Sequence, residues 1–588
     1  MQSPEEFYTQ NKESYTQEFL KVKKKLRTMS LLRLVVFIAT ITIVYFSFNI
    51  PYFPAVTAVL GAAAFLFLIS RYTDIQYQKN RLEALININD LELKALNGDI
   101  SSFDSGSDFI DGDHAYSHDL DLFGEHSFYQ SINRTTTVAG KDLLAKILMA
   151  NNIDKIEEKQ KAICELKEQP DWMQEFRATA SLIKTSVEEK TIIDWLENHK
   201  PITPSWIRGL LIAFSLASVA FLTVISMGIL PFGTVFIWLF IAAGILSPYL
   251  KRINHLSFHT SKIQDTFDQY YKLLMLIEKS NFSSSILNKE VDNIHTQEKK
   301  ASMIMRDFSK ALDALDQRNN IFFMIPANGF FLWDLWQVRR IDHWIAKYGV
   351  QVKKWMETVA FFDMQISLAT FAFNRPNYSF PEITDDHNTH IKDLGHPLVD
   401  EEKLVRNDFS IKKGEFYIIT GANMAGKSTF LRTVSLHCIM ANTGLPVCAS
   451  HSKYAPIKLI TSMRTSDSLS DDESYFFSEL KRLKYIIDKI EDETYFIVLD
   501  EILKGTNSKD KAEGSAKFLE KLSQSHSTGI IATHDLSLCE IADKYPDIEN
   551  YYFDAYIEND ELSFDYKFKE GICQNMNASF LLQKMGIV

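Results

Sequence analysis

The chain alternates between apolar blocks too long for a globular core and charged stretches of helical period. Residues 34–70 carry no charged side chain, and neither do residues 209–250. Each block is about twice the ~20 residues that cross a bilayer as a helix. Each is broken near its middle, by NIPYFP at 49–54 and by GILPFG at 228–233. The pattern predicts two helical hairpins, four spans in all. The second span, about 55–70, is short for a bilayer and would need snorkelling ends or local thinning. The competing reading is two buried hairpins of a large soluble protein. A signal peptide at the first block is disfavoured by its doubled length and by the lack of a small-residue cleavage motif.

Between the hairpins, residues 76–205 read as mostly helical, with a polar loop DISSFDSGSDFIDGDHAYSHDLDLFGEH at 99–126. After the second hairpin, residues 253–372 are charged helical sequence with few glycines. Within them IFFMIPANGFFLWDLW (321–336) is too short to span, so it reads as core, with an interfacial dip as the alternative. A linker rich in Pro, Asn and Asp occupies 374–390. From about 391, short apolar runs alternate with helical ones, the signature of an α/β domain. The expected order is a basic N-terminus with the first hairpin (1–75), a helical domain (76–205), the second hairpin (206–252), a long helical, lever-like region (253–384) and the α/β domain (385–588).

Charge orients the hairpins. Lys21, Lys23, Lys24, Lys25, Arg27 and Arg33 precede the first span, and Arg71, Lys79 and Arg81 follow the second. Arg208 and Lys251/Arg252 bracket the other hairpin, while both tips are uncharged. The positive-inside rule then places every soluble segment in the cytoplasm of a multi-pass protein of the inner membrane, with the lipid bilayer as a partner. The net charge of -12 over 588 residues argues against bulk electrostatic binding of nucleic acid. Five scattered cysteines give neither a zinc framework nor disulfides. The spans hold no charged residue, which argues against a translocation pathway. The loop DFIDGDHAYSHDLD (108–121) gathers carboxylates and histidines, but no metal-ligand spacing fits it and a solvated loop is the expectation. The basic run at 21–27 abuts a span and suits anionic headgroups better than nucleic acid.

The chemistry sits near the far end. Gly421-Ala-Asn-Met-Ala-Gly426-Lys427-Ser428 satisfies G-x-x-x-x-G-K-[ST], with a strand-like run leading in and a helix-like run leading out. Backbone N–H groups of such a loop wrap phosphates at a helix N-terminus. Lys427 is expected to reach the β/γ-phosphates of ATP and Ser428 to ligate Mg²⁺. Downstream, YFIVLDE (495–501) ends in two carboxylates. Asp500 is placed to hold the Mg²⁺ shell and Glu501 to polarise the attacking water. A third strand, TGIIATH (528–534), ends in His534, placed to sense the γ-phosphate.

Together these elements resemble the MutS family of DNA mismatch-repair ATPases, a branch of the ABC-type ATPases. The family's T-G-x-N-M-x-G-K-S-T is matched from Thr420 to Thr429, which adds Asn423, Met424 and Thr429 to the nucleotide contacts. Its D-E-x-x-x-G-T and A-T-H appear at 500–506 and 532–534, and its signature serine at Ser474, before Tyr475, Phe476 and Glu479. The resemblance implies a homodimer in which Ser474 completes the partner's nucleotide site, and a Tyr566 that stacks on adenine. LGHP (394–397) resembles the segment leading into the family's ATPase domain, residues 568–587 its helical close, and residues 121–148 its helical core, with an R-T-x-T-x-x-G turn. The mismatch-reading and connector domains that precede that core in repair proteins have no counterpart here; a membrane hairpin stands in their place. Phe123-Gly124-Glu125 matches the mismatch-reading Phe-x-Glu in letters, but its position reads as a turn leading into a helix. The implied function is a membrane-anchored MutS-like ATPase coupled to double-stranded DNA. The alternative is an ATP-driven membrane machine or scaffold acting on a protein or lipid without DNA.

Overall fold

In the computed structural model, which describes residues 2–50, 52–183, 189–295, 299–422, 424–464, 475–503, 507–558 and 561–574, the first hairpin is two long helices, Pro4–Phe46 and Phe53–Leu96. Ser3 and Glu6 cap the first reciprocally, side chain to backbone, at 3.2 Å each. The helices run antiparallel: Phe37 meets Phe65, Arg33 lies 3.9 Å from the Tyr72 ring, and Gly61 is pressed on Thr40 so closely that a Cβ would lie 2.3 Å from its side chain. Charge at Arg71 does not end the second helix, because backbone hydrogen bonding is indifferent to it. The short apolar span of the sequence is therefore the first part of a 44-residue helix.

The second hairpin pairs Ile207–Ser226 with Thr234–Leu246, the latter continuing through a short turn into Leu250–Lys279. Trp238 stacks on Phe214 and Phe221 and donates its indole N–H to Ser218 Oγ at 3.0 Å, so no polar hydrogen is stranded. Among the described residues four helices are long and apolar enough to cross a membrane: Pro4–Phe46, Phe53–Leu96, Ile207–Ser226 and Thr234–Lys279. Their apolar parts face outward, as at Phe46, Phe67, Leu216 and Phe240.

One expectation is corrected. Residues 321–331 form a helix, but Phe322 is 88% exposed, and Ile321, Ile325 and Phe331 are exposed too. Only Ala327, Asn328 and Gly329 are buried in it. Gly329 explains the placement: a Cβ there would lie 2.2 Å from Leu239, so the helix lies flush against the second hairpin rather than in the core. An apolar run alone cannot tell these two apart.

The 42-residue helix Trp333–Asn374 runs through the centre of the helical part. Its Asp363 accepts the backbone N–H groups of Thr136 and Thr137 and both their hydroxyls, so the threonine turn leads helix Val138–Met149 directly onto it. Gly140 permits this approach, since a Cβ would lie 2.4 Å from Asp363 Oδ2. Helix propensity alone favours alanine there by up to ~1 kcal/mol. We expect the opposite sign: Gly140→Ala should destabilise by about 1–3 kcal/mol, read as a lower denaturant midpoint.

At the end of the same helix lies a buried polar hub. Glu92, fully buried, accepts from Arg134 Nε (2.8 Å), Arg177 Nη1 (2.7 Å) and Asn374 Nδ2 (2.9 Å), and Tyr8 donates to Asn374 Oδ1 at 2.7 Å. Both helices of the first hairpin are thereby tied to the last residue of the long helix.

Among the described residues ten strands follow: β1 Glu382–Ile383, β2 Asn388–Leu394, β3 Asn407–Lys412, β4 Phe416–Gly421, β5 His451–Tyr454, β6 Lys458–Ser462, β7 Tyr495–Asp500, β8 Thr528–Ala532, β9 Ile548–Glu558 and β10 Glu561–Glu570. One sheet has the order β1-β5-β2-β3. The other has the order β10-β9-β4-β8-β7-β6, parallel throughout except for the edge pair β9/β10. Fully buried β4 lies inside this second sheet, as its unbroken apolar run requires.

The acidic loop before residue 122 docks onto this α/β part. Asp119 accepts from Thr461 Oγ1 (2.5 Å), Met463 N (3.1 Å) and Arg464 N (2.8 Å), while Asp121 pairs with Arg464 and Arg432. Arg482 reaches back to the carbonyls of His114 and Ala115. Two of the loop's carboxylates are thus engaged by protein donors, and no metal-binding group of His, Cys, Asp or Glu occurs among the described residues. Phe123 is buried against Tyr129 and Phe109, with Gly124 at φ +106, a turn and not a projecting wedge.

Candidate nucleotide site

Three parallel strands end at one cleft. β4 delivers the glycine loop, β7 delivers Asp500 and Glu501, and β8 leads to His534, in keeping with ligand sites at the carboxyl ends of parallel strands. The cleft has a volume of ≈ 570 Å³ and is lined by Met424, Gly426, Lys427, Ser428, Thr429, Asp500, Glu501, His534 and Tyr566 of the expected residues. Asn423 and Ser474, with Gly505, Thr506 and the segment from 575 onward, lie outside the described residues.

The loop is shaped by two glycines and a strained methionine. At Gly421 (φ +147) a Cβ would lie 2.5 Å from the Phe553 carbonyl of β9, so the chain can pass there only without a side chain. Gly426 (φ +102) begins helix Lys427–Thr443, and Met424 between them is held at φ +68. Lys427 Nζ donates to the carbonyls of Gly421 (2.8 Å) and Ala422 (3.0 Å), which holds the ammonium inside the loop. Burial lowers its pKa, against the opposing pull of Asp500 and Glu501. Ser428 Oγ donates to Asp500 Oδ2 at 2.5 Å. Hydroxyl and carboxylate thus stand together at the helix start, the hard oxygen donors that suit Mg²⁺.

Glu501 is held by its backbone. It adopts φ +56, its N–H donates to Ala532 O at 2.9 Å, and its carboxylate pairs with Lys511 Nζ at 2.7 Å. A non-glycine residue in this region is strained, and such strain collects at functional sites. His534 is kept below its ordinary pKa by burial and by Lys427, with Glu501 and Asp500 opposing, so it is neutral near pH 7. Tyr566 sits at a bulge in β10, also with positive φ, where Asn407 of β3 donates to its carbonyl (3.0 Å) and accepts from Phe568 N (2.9 Å). Its ring covers Gly426, with Cδ1 3.0 Å from where a Cβ would stand.

Residues 417–583 match the family described as MutS domain V. The C-terminal region of this chain is thus similar to MutS domain V. Among its relatives, human MutS protein homolog 4 is 33% identical over 235 residues, 38% of this chain and 25% of the relative. The DNA mismatch repair protein MutS of Acetivibrio thermocellus is 31% identical over 251 residues, 41% of this chain and 29% of the relative. That of Methanosarcina mazei is 30% identical over 240 residues, 39% of this chain and 26% of the relative. The chain therefore spans about a quarter of the length of the curated relatives it matches.

Around the cleft, three residues carry no readable role in the sequence. Lys511 carries no motif and stands ten residues beyond its partner Glu501. Asn407 positions Tyr566 from another sheet, which no local pattern could reveal. His396, in the noticed LGHP segment, lines the same cleft, and burial with nearby Arg432 lowers its pKa to about 4.

Burial of two histidines, His396 and His437, predicts that this region loses stability in acid, most of all through His437. His437, on the helix after the loop, is buried with Nε2 against Ser452 Oγ at 2.9 Å, and burial lowers its pKa to about 3. The unfolded chain takes up a proton near the ordinary value of about 6.5 that the fold refuses. Stability is therefore present above that pH and lost as pH falls toward 3, by at most about 1.4 kcal/mol per unit for this group. Denaturant unfolding at pH 7.5, 6 and 5 should show the loss, and His437→Gln should flatten it.

Proposed function

We propose that the chain is an ATPase that binds Mg²⁺·ATP in the domain V cleft and couples hydrolysis to its helical part. The convergence of Lys427, the Ser428–Asp500 pair, Glu501 and His534 at three strand ends, beneath Tyr566, carries the reading. Lys427 and the loop N–H groups would take the phosphates, and Tyr566 the base. Ser428 and Asp500 would hold Mg²⁺, which, when bound, neutralises charge on the phosphate oxygens. Glu501 would accept a proton from the attacking water as the water oxygen bonds to the γ-phosphorus and the bond from that phosphorus to the β–γ bridging oxygen breaks, with ADP leaving on that oxygen, and His534 would orient the γ-phosphate. The resemblance supports a role for Ser474 in completing the site of a second copy, and with it a homodimer as the working unit.

Four apolar helices support anchoring in the inner membrane, with the working parts in the cytoplasm. The names of the repair relatives support double-stranded DNA as the partner of the helical arms. A second reading, in which the cycle moves the bilayer helices themselves, is favoured by the Glu92 hub that ties the first hairpin to the long helix. Phosphate release in lipid nanodiscs, with no DNA, matched duplex and mismatched duplex at two salt concentrations, separates them. Duplex stimulation that fades with salt supports the DNA reading. Hydrolysis indifferent to DNA supports the bilayer reading, and no hydrolysis under any condition contradicts the proposal.

A further inference from the structure

At the foot of the second hairpin lies a cavity of ≈ 670 Å³ unrelated to the nucleotide cleft. Arg208, at the start of the apolar helix Ile207–Ser226, faces Arg339 and Arg340 from the first turns of helix Trp333–Asn374. Among the described residues none of the three has a carboxylate partner; Arg340 donates to the carbonyl of Asp307 at 3.1 Å. The acids of the same helix are turned away, Asp334 to Arg318 and Asp342 to His199 and Thr203. The positive charge is therefore uncompensated, and a guanidinium set of this kind suits a phosphate.

A second observation narrows the ligand. Gln337 lines the cavity, is 7% exposed, and its Oε1 finds no hydrogen-bond partner. A buried acceptor left unpaired costs free energy, so a ligand with a hydroxyl donor beside its phosphate is favoured. Ser215 and His343 add polar groups, and the rest of the wall is aromatic, Phe331, Trp333 and Trp336, continuous at Phe331 with the exposed apolar helix Ile321–Phe331 that lies on the hairpin. An acyl chain fits that surface, and a soluble phosphate has no use for it.

We propose that this cavity binds the headgroup of an anionic phospholipid bearing a free hydroxyl, of the phosphatidylglycerol type. The phosphate accepts from Arg208 and Arg339, a glycerol hydroxyl donates to Gln337 Oε1, and the chains lie along the apolar helix. The inference rests on the reading that the hairpins sit in a bilayer.

Native mass spectrometry of the full chain released from nanodiscs of equal phosphatidylglycerol and phosphatidylcholine tests it. The wild type should retain the anionic lipid with about tenfold preference. The double variant Arg208→Gln/Arg339→Gln should lose that preference while its unfolding temperature in detergent stays near the wild type's. Gln337→Leu should keep anionic lipid but no longer favour phosphatidylglycerol over phosphatidic acid. Insertion without lipid preference, or a preference that the double variant keeps, overturns this inference and leaves the bilayer reading standing. Displacement of the lipid by millimolar glycerol phosphate shows a soluble-phosphate site and overturns it too. Failure to enter nanodiscs at all overturns the bilayer reading and this inference together.

Discussion

Glu501→Gln should abolish turnover and leave nucleotide binding intact. The substitution keeps the side chain's size and its ability to accept from Lys511, 2.7 Å away, and removes only the capacity to take a proton. General-base catalysis contributes about 10²–10⁴-fold, so kcat should fall by that factor. The affinity for Mg²⁺·ATP should change by less than about threefold, because no phosphate contact is assigned to this carboxylate. Phosphate release beside equilibrium binding of a fluorescent ATP analogue separates the two effects. A matched loss of both would mean that Glu501 shapes the cleft rather than acting on water.

The largest stability effect is expected far from that cleft. Among the described residues Glu92 is the one anion paired with both Arg134 and Arg177, whose side chains are only 4% and 5% exposed. Glu92→Gln preserves volume, so no cavity opens. It leaves two buried guanidinium groups without a counter-charge and, with the amide oxygen kept on both arginines, turns its NH2 donor toward the Asn374 Nδ2 donor. Breaking a buried pair in this way costs about 3–5 kcal/mol. Denaturant unfolding in detergent should show that loss. Replacing Arg177 by Met in the Gln variant should recover part of it, since one fewer cation then lacks a partner.

The sequence discloses what depends on local pattern. β4, β7 and β8 are apolar runs ending at Gly421, Asp500 and Ala532, and they take the places in the sheet that such runs require. The hairpins were legible because 34–70 and 209–250 contain no charge. What was not legible depends on distant partners. Lys511, Asn407 and the Glu92 hub are ordinary polar residues until folding brings their partners within 3 Å. The run at 321–336 divides: Leu332 and Leu335 are core, whereas 321–331 lies against Leu239 of the second hairpin with Phe322 exposed, a division that apolarity alone does not disclose.

The account stands or falls on whether ATP occupies the cleft beneath Tyr566. Photolabelling of the full-length chain with 8-azido-ATP and Mg²⁺, followed by mass mapping of the adduct, tests this most directly. The label should fall on the segment around Tyr566 or on the cleft-lining loop near Leu404, compete with unlabelled ATP and vanish in Lys427→Ala. An adduct elsewhere in the chain, or one that persists without Lys427 and ignores ATP, would contradict it.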